Sequence, residues 1–151
     1  MGAEIKCLTP HEEERFLETL RKRKDAERAY MLYHLMLVTG LRLSEALGLN
    51  LGHILRAKAE IKVKGWTKQG EKKDRLKTVY FPKAIQEHFK DYLRYKARQK
   101  EDLSAQAALF VSKQGTRISP RQVQRDFKKW VKESGIESNL SPHALRHTVG
   151  T

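Results

Sequence analysis

Between about Ile54 and Phe81 the hydrophobic period of this chain shifts from that of a helix to that of a strand. Ile61 and Val63 alternate with Lys62 and Lys64; Val79 and Phe81 alternate with Thr78 and Tyr80. Such alternation turns one face of each segment inward and leaves the other wet, as in half-buried strands. The charged run from Lys68 to Arg75 lies between them and reads as a hairpin connection, and Pro82 ends the sheet. The segments on either side carry helical spacing. The expected architecture is therefore α+β: a mainly α-helical domain with a small antiparallel sheet.

The helical segments announce their ends. Thr9 reads as an N-cap, Pro10 as the first helical residue and Glu12 as the capping-box partner, with Phe16, Leu17 and Leu20 facing inward. A second helix is expected over residues 25–38, with Tyr30, Leu35 and Val38 in the core and Gly40 as its stop. Ser44 is expected to cap a short helix holding Glu45, Ala46 and Leu47. Residues 83–99 form a further helix with Ile85, Phe89, Tyr92 and Leu93 on one face. Leu109, Phe110 and Val111 make a short apolar run before a turn at Gly115. Ser119-Pro120 opens a helix carrying Val123, Phe127, Trp130 and Val131, which Gly135 closes, and Ser141-Pro142 opens a last one. No internal repeat or low-complexity tract interrupts residues 1–151, so one domain is expected.

The chain has 151 residues and a formal net charge of +13. The excess is uneven: residues 1–55 are balanced, residues 56–100 carry a net +10 and residues 101–151 a net +3. A basic surface directed in this way favours nucleic acid over a merely solubilising role, since neutralised phosphates release counterions. Cys7 has no partner cysteine, and no signal peptide is visible. The longest apolar stretch, Tyr30 to Val38, is interrupted by His34 and is too short to span a bilayer. An intracellular setting with no membrane association is expected.

Three clusters could carry chemistry. Arg42 follows the helix-ending Gly40 and precedes a capped helix, which sets a fork of donors at a rigid corner suited to a phosphate. Glu45, three residues on, could brace it; alone, this spacing favours an ordinary surface pair. His143 and Arg146 share one helix face and could donate to one phosphate. His143 and His147 stand at a metal-site spacing, but no acid or cysteine completes a set, so no metal is expected. Lys62, Lys64, Lys68, Lys72, Lys73 and Arg75 crowd the hairpin, and charge alone does not single one out. There is no P-loop, zinc-type cysteine pair, G-x-S-x-G elbow or G-x-G-x-x-G.

Taken together and in order, these segments resemble the catalytic domain of the tyrosine recombinases, the phage-integrase family. The resemblance runs from Leu8-Thr9-Pro10 through Thr39-Gly40-Leu41-Arg42-Leu43-Ser44-Glu45 and Thr67-Lys68-Gln69-Gly70 to Leu140-Ser141-Pro142-His143-Ala144-Leu145-Arg146-His147-Thr148. It implies an α+β, mainly α-helical fold with a small three-stranded antiparallel sheet, and site-specific DNA recombination or integration, of the kind used by phages and mobile elements, by cofactor-free cleavage and rejoining of double-stranded DNA. Arg42 and Arg146 would clamp the non-bridging phosphate oxygens, and His143 would hydrogen-bond the same phosphate. Lys68, which precedes the glycine turn, would protonate the departing 5′-oxygen, and Glu45 would support Arg42. Lys62, Lys64, Lys72, Lys73 and Arg75 would contact DNA. A cytoplasmic, prokaryotic-type setting on DNA follows from the same resemblance.

The family pattern continues to a nucleophilic tyrosine beyond the His-x-x-Arg segment. The tyrosines here are Tyr30, Tyr33, Tyr80, Tyr92 and Tyr95, none at that position. The expectation is a catalytic domain that stops short of its nucleophile, without the family's N-terminal DNA-clamping domain. Such a chain would be inactive alone and would self-associate through its C-terminal end. The alternative is a non-catalytic DNA-binding remnant or regulator that acts by occupancy.

Overall fold

The computed structural model describes residues 8–66 and 72–136. Lys68, His143, Arg146 and His147, and the helix expected from Ser141, lie outside the described residues.

Helix α1 spans Pro10–Lys22 and starts as its sequence dictates. The Thr9 hydroxyl accepts the Glu12 N–H at 3.1 Å, and the Glu12 carboxylate accepts the Thr9 N–H at 2.9 Å. Two orphan donors of the first turn are thereby satisfied. Helix α2 spans Glu27–Thr39, starting two residues later than expected. Asp25 is drawn instead into an ion pair with Arg23, 3.1 Å away, and Ala26 takes the N-cap without a side-chain bond. Gly40 ends α2 at φ 73°, in the left-handed region that glycine enters without strain.

α2 is the central helix. Met31, Leu32, Tyr33, Leu35, Met36 and Leu37 are all buried, whereas Tyr30 and Val38, expected in the core, are only half-buried. α1 and helix α4 (Lys83–Arg98) pack against it. Helix α5 (Pro120–Glu133), capped by the Ser119 hydroxyl on the Gln122 N–H, closes the core from the other side. Phe16, Tyr33 and Phe127 meet there with ring centroids 5.3–5.4 Å apart, joining α1, α2 and α5 through tilted and edge contacts.

The sheet has the order β1-β2-β3, all antiparallel, with β1 at Ile54–Leu55, β2 at Glu60–Trp66 and β3 at Lys72–Tyr80. Ile61 pairs with Val79 and Lys62 with Thr78, so Ile61 and Val63 point to the core as their alternation requires. Phe81 is buried just past the end of β3, and its N–H bonds the Ala59 carbonyl.

On α4 the residues Ile85, Phe89 and Tyr92 are buried as expected, but Leu93 is only half-buried and Lys96 is completely buried. The spacing puts position 96 on the apolar face; the lysine is accommodated because Glu101 and two carbonyls meet its ammonium. After α4 the chain returns along residues 49–52. The Leu51 and Gly52 N–H groups bond Ala107 and Ala105, and the Leu109 N–H bonds the Leu49 carbonyl. Gly52 is required there, since a Cβ would stand 2.9 Å from the Ala105 carbonyl oxygen. No helix among the described residues is long and apolar enough to cross a membrane.

Candidate functional site

Arg42 sits at the corner between α2 and the one-turn helix α3 (Leu43–Leu47). Its neighbours Leu41 and Leu43 are buried, which leaves the arginine side chain exposed between two anchored residues. The corner is tied from both sides. The Thr39 hydroxyl donates to the Leu35 carbonyl at 2.6 Å and accepts the Leu41 N–H at 3.3 Å. The Glu45 carboxylate accepts the Arg42 backbone N–H at 2.8 Å. The N-cap of α3 is therefore Arg42, not the expected Ser44, because Glu45 reaches back from the third helical position. Glu45 thus meets Arg42 at its backbone N–H.

At the far end of α3, a residue that sequence reasoning passed over holds the helix. The Arg117 guanidinium donates to the Leu47 carbonyl at 2.8 Å, the Leu49 carbonyl at 3.1 Å and the Asn50 Oδ1 at 2.7 Å. Arg117 is 70 positions from Leu47, and no local pattern signals the contact.

The hairpin cations divide by what the structure places. Lys62 is half-buried on β2, with its ammonium 2.6 Å from the Thr78 hydroxyl and 3.6 Å from a Glu60 carboxylate oxygen. Lys64, Lys72, Lys73 and Arg75 lie on the paired strands β2 and β3, which carry them toward the hairpin end of the sheet. A basic surface is found on α5. Arg121, Arg125, Lys128 and Lys132 recur at intervals of four, three and four, and all are exposed, opposite the buried Val123, Phe127, Trp130 and Val131. α5 packs against α3, so this stripe belongs to a neighbour of the Arg42 corner. The helical period would have revealed the stripe; counting charge by thirds of the chain diluted it.

The tyrosines are mostly engaged in packing. Tyr33 and Tyr92 are buried, and burial pushes both hydroxyls far up from their ordinary value. The Tyr95 hydroxyl accepts from Arg28 at 2.7 Å, and Tyr30 packs on His88 with ring centroids 4.2 Å apart. Tyr80 is exposed at the end of β3. A cleft of about 970 Å³ is lined by Arg28, Lys96, Glu101, Lys113 and Arg117 among others, and Arg42 is not part of its wall. Among the described residues no group of three or more His, Cys, Asp or Glu side chains could hold a metal ion.

Comparison with known proteins decides what this arrangement belongs to. Residues 6–151 match the model of the phage integrase family. The chain belongs to the phage integrase family. Curated relatives include the tyrosine recombinase XerC of Vibrio atlanticus (strain LGP32), 38% identical over 125 residues, which cover 83% of this chain and 37% of the relative. XerC of Escherichia coli O127:H6 is 37% identical over 126 residues, covering 83% and 39%. This phage-integrase-family chain thus spans less than two fifths of the length of these relatives. Solved structures share its fold. XerA recombinase superposes with a TM-score of 0.78 at 23% identity, covering 99% of this chain and 50% of that one. The Tn1549 transposon integrase in complex with transposon right end DNA gives 0.77 at 21% identity, covering 97% and 52%.

Proposed function

We propose that this chain supplies the phosphate-binding part of a DNA strand-cleaving and rejoining site used in site-specific recombination. The observation that carries the reading is the Arg42 corner: an exposed arginine whose backbone is anchored between buried Leu41 and Leu43 and capped by Glu45, in a phage-integrase-family chain. A guanidinium presented from an anchored backbone can meet two non-bridging oxygens of a phosphodiester with its fork of donors. Arg146 takes the second half of the clamp, His143 adds a third donor, and Lys68 protonates the 5′-oxygen that departs when a tyrosine hydroxyl attacks phosphorus. Fixed donors of this kind stabilise the charge that builds on the phosphate oxygens in the transition state.

Double-stranded DNA is the partner this reading requires. The Tn1549 integrase structure contains transposon DNA, and the XerH recombinase structure contains its difH substrate. The exposed stripe of Arg121, Arg125, Lys128 and Lys132 supports a duplex partner, since cations at helical spacing match the repeated charge of a phosphate backbone. Lys64, Lys72, Lys73 and Arg75, carried on β2 and β3, add positive charge available to such a partner, and the chain acts where DNA is, in the cytoplasm.

The test is binding of a fluorescein-labelled duplex, read by anisotropy across a salt series. Affinity should fall steeply with salt. Arg42→Ala should weaken binding by about tenfold and lower the salt slope by about one, as expected for one lost phosphate contact. An Arg42→Ala protein that melts normally and binds DNA as tightly as the parent would remove the basis of this reading.

A further inference from the structure

We infer that Arg117 is a positioning residue for Arg42, acting through α3. The inference rests on the reading of Arg42 as a phosphate ligand. α3 has five residues, so it is barely more than one turn and cannot hold its own direction. Its N-terminal end presents Arg42. Its C-terminal end leaves carbonyl groups without helical partners, and a guanidinium is well suited to collect them, since its donors diverge in one plane and its charge complements that end of the helix. Arg117 does this at Leu47, and just past the helix it also donates to the Leu49 carbonyl and to the Asn50 side chain.

Arg117 can act as a fixed point because its own backbone is fixed. It pairs with Val111 across a short hairpin, in which the Ser112 N–H bonds the Thr116 carbonyl at 2.7 Å and the Ser112 and Thr116 hydroxyls meet at 3.0 Å. Gly115 makes the turn at φ 84°. Ile118 and Ser119 follow directly, and Ser119 is the N-cap of α5. One side chain therefore pins the helix that presents Arg42 to the hairpin that leads into the basic stripe of α5. A phosphate bound by Arg42 and a backbone tracked by α5 are kept in one register by that link. Without it, α3 keeps its buried leucines but loses the restraint on its C-terminal end, and Arg42 samples a wider range of positions.

A double-mutant cycle on the full chain tests this, using the same labelled duplex. Arg117→Met retains the aliphatic stem and removes every donor. It should weaken DNA binding by about three- to tenfold in the parent and leave binding unchanged in the Arg42→Ala background, because its effect passes through Arg42. Arg117→Lys, which can still donate to the Leu47 carbonyl, should restore part of the affinity. Equal losses in both backgrounds would overturn the inference, since Arg117 would then be touching DNA itself or supporting the fold at large. No loss in either background would overturn it as well. If Arg117→Met does not fold, Arg117→Gln, which keeps one donor, runs through the same cycle with the same criteria. Failure of the underlying reading looks different: Arg42→Ala alone then has no effect.

Discussion

The Nδ1 atoms of His34 on α2 and His88 on α4 stand 2.8 Å apart, so the two imidazoles share one hydrogen bond across the helix pair. Tyr30 lies against both rings. Burial lowers the pKa of His34, and burial together with the nearby His34 brings His88 down to about 4. The shared bond needs one ring to donate and the other to accept, which two imidazolium ions cannot do. Asp91, one turn along α4, and Glu27 line the cleft that His88 adjoins, together with Arg21, Lys22, Arg23 and Lys24. Unfolded chains take up protons near the ordinary histidine value, while His88 in the folded chain resists until about pH 4. The stabilising effect is therefore complete above about pH 6.5 and declines as pH falls toward 4. The melting temperature should drop over that window, and His88→Gln should flatten the drop. An unaltered pH profile in that variant would mean the pair is not responsible.

Glu101 stands between two cations. Its carboxylate meets the Lys96 ammonium at 2.7 Å and the Arg28 guanidinium at 2.6 Å, and Lys96 is completely buried. Glu101→Gln leaves that ammonium beside Arg28 without a counter-charge and should cost about 3–5 kcal/mol of folding stability. Lys96→Met should cost less, because Glu101 keeps Arg28. Urea unfolding of both variants gives the order; a reversed order would contradict this account of the cluster.

The cap on Arg42 can be separated from the charge of Glu45. Glu45→Gln and Glu45→Leu both remove the charge, but only glutamine can still accept the Arg42 N–H. The leucine variant should bind duplex DNA more weakly than the glutamine variant and melt at a lower temperature. Equal DNA affinities would show that the Arg42 corner does not depend on the cap.

Phe127 closes the aromatic junction of α1, α2 and α5 and is completely buried. Phe127→Ala should cost about 3–5 kcal/mol, from lost transfer energy and from the cavity left between Phe16 and Tyr33. Urea denaturation measures it, and a loss below about 1 kcal/mol would show that the junction collapses around the gap.

Features that depend on near neighbours were legible in the sequence. The Thr9–Glu12 capping box, the stop at Gly40, the Ser119 cap and the inward face of Ile61 and Val63 each follow from residues a few positions apart. Ser44 was a misleading signal, since a serine before a short apolar run resembles a cap. The carboxylate of Glu45 reached the backbone of Arg42 instead and moved the helix start. The buried Lys96 was not legible either: its position follows the period of α4, but its tolerance depends on Glu101 and the carbonyls of Ala108 and Leu109.

The sequence by itself determined the family resemblance, the capped starts of α1 and α5, the stop of α2 at Gly40 and the alternation of β2. Those are properties of local pattern and of motifs kept in order along the chain. The tertiary structure alone decided that Arg117 holds α3 across 70 positions, that His34 faces His88 across 54, and that Lys62 turns its ammonium to Thr78. Hydrogen bonds of that kind form only where folding brings distant backbone carbonyls and side chains to within about 3 Å, and no periodicity along the chain encodes that approach.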